Sequence, residues 1–151
     1  MPLTIIDNPH VLLVHPVDET INTNADNDVP LEFTTTTTNL GGCTVNAAKS
    51  RITVPISGTY LVSTVISGGV QTADAGDGIQ LKILKNGAEL SPQEIFPIDT
   101  MGSANGQEFA FTMTIPLILT ASDYLEVALD NVGGTTSATV QRGYFSVVKL
   151  H

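Results

Sequence analysis

Residues 31–66 read LEFTTTTTNLGGCTVNAAKSRITVPISGTYLVSTVI. No other stretch of the chain narrows the fold so far. The threonines at 34–38 carry β-branched side chains that favour extended backbone and can pair hydroxyls across strands. Gly41-Gly42 then supplies a turn. Arg51-Ile52-Thr53-Val54 alternates polar and apolar up to Pro55, and after Ser57-Gly58 the residues Tyr60, Val62, Thr64 and Ile66 fall on one face. A period of two in both segments, joined by turn chemistry, predicts paired β-strands.

The same style continues to the C-terminus. Gly68-Gly69 reads as the end of that strand, and Asp74-Ala75-Gly76-Asp77-Gly78 as a flexible turn before Ile79 restarts the alternation. Asn86-Gly87 predicts a two-residue hairpin, because Asn and Gly tolerate the positive φ angles it demands. Phe109, Phe111, Met113 and Ile115 alternate with small or polar residues, as do Leu125, Val127 and Leu129, with Ala121-Ser122-Asp123 as the bend between the two runs. Val132-Gly133-Gly134 reads as another turn, followed by a long last strand over 137–150 in which Phe145 and Val147 share a face. Before all this, residues 1–30 predict either an arm plus linker or a first strand, near Val11 to Val14, followed by a long polar loop. Helices are nearly absent. At 151 residues the chain suits one domain with a substantial core. The prediction is all-β: a two-sheet antiparallel jelly-roll sandwich of about ten strands over residues 31–151.

Composition removes several functions. Fifteen acidic against six basic residues give a net charge of −9, which opposes nucleic-acid binding, since that affinity comes largely from clustered Lys and Arg. Only 14% of residues are charged, and no apolar run approaches the ~18 residues of a membrane-spanning helix, so no membrane insertion is expected. A chain polar through Thr, Ser, Asn and Gln rather than Lys and Glu suits subunit interfaces, where charge would be expensive to desolvate. The N-terminal MPLTIIDNPHVLLVHP has no Lys or Arg before its apolar residues and is broken by Asp7, Pro9, His10 and His15. That is not the pattern of a secretory signal peptide. The lone Cys43 cannot form an internal disulfide and reads as a small buried apolar side chain.

Catalytic chemistry is thin. His10, His15 and His151 sit at the two ends of the chain without the spacing of a metal cluster or nucleophile-base pair. The Gly-Gly pairs open no predicted helix, so none is a phosphate loop, and no nucleophile elbow or triad order is present. A metal-dependent enzyme on a jelly-roll scaffold would need a His-x-His pair that the chain lacks. Asp26 and Asp28, and separately Asp74 and Asp77, offer oxygen ligands to calcium, although turn preference explains them equally well. No other cofactor is expected.

An ordered set of fragments resembles a known family. Phe33, Asn39, Gly41-Gly42, Ile52 to Pro55, Gly58-Thr59-Tyr60, Asn86-Gly87, LTASDYLEV at 119–127 and Gly143-Tyr144-Phe145-Ser146-Val147 together look like the globular head of complement component C1q and its tumour necrosis factor relatives, over roughly residues 30–150. Ser122 stands where that family often has Gly, Val147 replaces the Gly of its closing motif, and no collagen-like stalk is present. The resemblance implies a ten-stranded jelly roll in a compact homotrimer, with Tyr60, Phe109, Phe111, Tyr124 and Phe145 in the core or the trimer interface. The expected function is a non-enzymatic attachment protein of a virion, such as a head decoration protein, spike or fibre tip, held on a capsid or tail by its N-terminal arm, with a host-surface ligand in the case of a spike or fibre tip. The alternative is a secreted or cell-surface C1q-like module that recognises protein or carbohydrate.

Overall fold

The computed structural model describes residues 8–16, 19–22, 29–72, 78–90, 97–100, 106–132 and 137–150, and among them there is no helix. Thirteen strand segments form two antiparallel sheets. The first sheet has the order β11(Glu108–Leu119), β7(Gly58–Thr72), β13(Ser137–Lys149), β1(His10–Pro16), β4(Phe33–Leu40), with β2(Glu19–Asn22) also on β13. The second runs β10(Ile98–Thr100), β8(Gly78–Lys85), β12(Tyr124–Val132), β6(Arg51–Thr53), β5(Thr44–Val45), with β3(Val29–Pro30) on β12 and β9(Ala88–Glu89) on β8. The sequence-predicted all-β, two-sheet sandwich is present.

Period-two patterning does the sorting. In β7 the side chains of Tyr60, Val62, Thr64 and Ile66 are buried, while Leu61, Ser63 and Val65 between them are half-buried on the opposite face. The inward residues of β1, β7 and β13 meet those of β8 and β12 in one core that includes Leu13, Ile66, Phe145, Leu81 and Leu125. Phe33 stacks on Phe145 at 6.3 Å and Phe109 lies 5.5 Å from Phe111 between ring centroids. Pro116 is tolerated in β11 because that strand ends the sheet's main path, where a missing N–H breaks no ladder.

Asn86-Gly87 forms the expected hairpin: Lys85 pairs with Ala88 across it, with φ of 55° at Asn86 and 78° at Gly87. Gly68-Gly69 does not end a strand, which corrects the sequence expectation. β7 runs straight through them to Thr72. A Cβ on Gly68 would lie 2.0 Å from the Thr139 carbonyl oxygen and 2.9 Å from the Phe109 ring, so this glycine permits a close approach of β13 rather than a turn. The approach coincides with an irregularity in β13, where pairing with β7 slips between Val140 and Arg142.

The stretch expected as a polar connection before residue 30 contains β2 and β3, and β1 lies between β13 and β4 with partners on both sides. The alternation in β12 also means something different from its appearance. Glu126, Ala128 and Asp130 are as buried as Leu125, Val127 and Leu129, and β8 is buried on both faces from Gly78 to Leu84. The outward side of the second sheet is thus covered along its central strands.

Candidate functional site

The first sheet leaves its outward side uncovered, and register aligns that side in rows. Val14, Tyr144, Val65 and Thr112 form one row, Leu12, Ser146, Ser63 and Thr114 the next, and Leu40, His10, Val148, Leu61 and Pro116 a third. Toward the chain ends, Ile118 stands opposite Thr59 and is 82% exposed, and Leu150 is 45% exposed. No Asp, Glu, Lys or Arg occurs in these three rows. The hydroxyls are partly committed to one another, as where Thr114 donates to Ser63 across 3.2 Å. A surface of apolar side chains and small hydroxyls, with the Tyr144 phenol and the His10 imidazole among them, loses less on desolvation than a charged one and gains from burial.

Charge returns one row beyond Thr112. There Ala110, Ser67 and Arg142 align, with Glu108 opposite Gly69. The small Ser67 and Ala110, with Gly68 beside them, border a hollow of about 290 Å³, walled by Glu108 and Phe109 on β11 and by Gln141 and Arg142 on β13.

Four of the five aromatic residues singled out from the sequence point the other way. Tyr60, Phe109, Phe111 and Phe145 are buried in the core of the single chain. The Tyr60 hydroxyl donates to the Ile56 carbonyl at 2.7 Å, and burial, with the neighbouring Cys43, pushes the phenol above its ordinary value. Cys43 is 5% exposed and burial raises its thiol to about 11, so the thiolate needed for reactivity is scarce near neutral pH. Tyr124 lies on the second sheet, half-buried beneath the Arg51 guanidinium, 3.9 Å from its ring centroid. Arg51 is held there by Glu126, whose carboxylate accepts its Nε–H at 2.9 Å. The outward aromatic is Tyr144, which the sequence reading did not single out. Parity could have found it: once Phe145 is assigned inward, its neighbour must face out.

A second cluster covers part of the other sheet. Lys82 bridges Asp130 and Glu89, with Lys82 and Asp130 almost fully buried. Asp123 fastens two turns together: it accepts from Asn86 Nδ2 and from the Thr120 backbone N–H, both at 2.8 Å, and pairs with Lys85 at 2.8 Å. Asn86 Oδ1 accepts in turn from the Tyr124 N–H at 2.9 Å. The Lys85 ammonium, then the Asn86 and Thr120 donors, hold the Asp123 carboxyl down to about 2. These groups are structural cations and anions satisfied by each other. Among the described residues no group of three or more His, Cys, Asp or Glu is placed to hold a metal ion. Asp26, Asp28, Asp74 and Asp77, the calcium candidates, lie outside the described residues, as do His151 and the side chain of His15; His10 is half-buried in the third row of the uncovered face. No described helix is long and apolar enough to cross a membrane.

No protein-family model matches the sequence, and no curated protein matches it. Solved structures do. Eiger TNF from S. frugiperda is similar with a TM-score of 0.64 at 16% identity, over 96% of this chain and 94% of that one. The globular domain of zebrafish complement 1qA protein is similar with a TM-score of 0.62 at 14% identity, over 95% of this chain and 98% of that one. The chain therefore has the jelly-roll fold of the tumour necrosis factor and C1q proteins along nearly its whole length. Fold at such identity does not carry function with it.

Proposed function

We propose that this chain is a non-enzymatic recognition module that acts as a homotrimer, with the outward face of the β11-β7-β13-β1-β4 sheet packed around a threefold axis and with surface loops left to meet a protein or carbohydrate ligand. The observation that carries this reading is the centre of that face, three rows without Asp, Glu, Lys or Arg. Exposed apolar patches rimmed by polar residues mark interaction sites, and here the patch lies across the centre of a sheet, not in a concave pocket that would suit a small ligand. The likeness in fold to a tumour necrosis factor and a complement domain favours recognition over attachment.

Attachment to a virion by a free N-terminal arm is the weaker reading. Within residues 1–30, residues 10–16, 19–22 and 29–30 are strands paired into the two sheets, so these segments belong to the sandwich and form no free arm. The test is an array of glycans and extracellular proteins probed with the wild-type protein and with Ser63→Glu, which puts a charge at the centre of the face. Recognition predicts a bound ligand for the wild type and at least about tenfold weaker apparent binding for the variant, because avidity is lost with the trimer. Absence of any ligand, together with co-sedimentation on capsids or tails, would establish the attachment reading instead.

A further inference from the structure

We infer that Glu108 and Arg142 form an ion pair between neighbouring copies of this chain, a polar lock at one end of the apolar trimer face; the inference rests on the trimeric reading above. Among the described residues on that face these are the two charged side chains of opposite sign bordering one hollow, and both are exposed in the single chain. Neither makes an ion pair with a described residue. The reason is positional: Glu108 is on β11 and Arg142 on β13, with β7 between them, so the strand spacing alone separates them by about 10 Å.

Trimer packing would bury both. A buried charge without a counterion is far more costly than a paired one, so a face that is otherwise free of charge would not retain one acid and one base unless they met. The register supplies the means. Arg142 aligns with Ser67 and Ala110, and Glu108 lies two residues further along, opposite Gly69, so the two are offset along the strands by about 7 Å, a gap that the long arginine side chain spans. Rotation about an axis parallel to the strands preserves height. It brings Arg142 of one copy toward Glu108 of the next while their own partners stay a sheet-width apart. The hollow beside the small Ser67 and Ala110 leaves room for the incoming guanidinium, whose planar fork matches a carboxylate. A heterologous contact of this kind closes into a ring, with one pair per interface.

Sedimentation equilibrium of the full chain tests the pair by charge exchange. Glu108→Arg and Arg142→Glu should each raise the concentration at which trimers dissociate by at least about tenfold, and the double exchange should return it to within about threefold of wild type. Circular dichroism of each protein shows whether it is folded. Glu108→Gln and Arg142→Gln provide a milder cycle, which must show non-additive losses of the same sign. Single variants that dissociate like wild type, or a double exchange no better than the worse single, would overturn the pair while leaving the trimer standing. A wild type that is monomeric would overturn both.

Discussion

Gly68 has no room for a side chain. Its missing side chain lets the Thr139 carbonyl approach to where a Cβ would stand, while Gly69 next to it has nothing nearer than 3.9 Å. Gly68→Ala is therefore expected to cost about 3 kcal/mol in denaturant unfolding, since backbone rather than a flexible side chain must move. Gly69→Ala should change stability by less than about 0.5 kcal/mol; equal losses at the two sites would contradict the close-approach account. The two glycines are identical on the page of the sequence, and a Gly-Gly pair more often marks a turn, so the distinction became visible only when β13 was placed. Ser122 is the reverse case. It has a φ of 75°, at the position where the family that the sequence resembles often has glycine. Ser122→Gly should stabilise the protein by about 0.5–1 kcal/mol in the same assay, by removing the Cβ from a left-handed backbone. A thiol reagent should leave Cys43 unmodified in the native protein and label it on unfolding.

Turns and strand faces set the behaviour at the next scale. The Asn86-Gly87 hairpin was legible because its geometry demands residue types that few other contexts demand, and the strands were legible because burial on one face imposes a period of two. What Asp123 does with that hairpin was not legible, because its partners Lys85 and Asn86 are 38 and 37 residues away and meet it only through sheet pairing. Its carboxyl is depressed from an ordinary 3.8 to about 2. The folded state thus favours the ionised form, and the resulting stabilisation is complete above about pH 4 and disappears as pH falls toward 2. Asp123→Asn should flatten the fall in melting temperature across that window relative to wild type; an unchanged slope would show that other carboxylates carry it. The Lys82, Asp130 and Glu89 cluster was hidden for a further reason. Polar residues alternating with apolar ones look the same whether the polar face meets water or is covered. Since both Lys82 and Asp130 are buried, Lys82→Met should cost about 3 kcal/mol by leaving carboxylates uncompensated.

For the molecule as a whole, the two sheets are unequal. One has both sides of its central strands buried, and the other offers water an apolar, hydroxyl-flecked face crossed by Tyr144, Val65, Leu61 and Val148. That asymmetry was only half readable in the sequence. Low charge points to association, but the aromatic residues expected in the core or the interface mostly fill the core, because large size signals burial without saying against what. Deleting residues 1–7 should leave assembly intact, whereas deletion through residue 30 removes β1 from between β13 and β4 and should unfold the first sheet, as seen by loss of the β-sheet circular dichroism signal. The central claim is that the uncovered face is a subunit contact. Sedimentation equilibrium at micromolar concentration measures it directly: the mass should be three times the 15.9 kDa of the chain and should fall to that of one chain in Ser63→Glu, while a wild-type protein that sediments at 15.9 kDa would contradict the account.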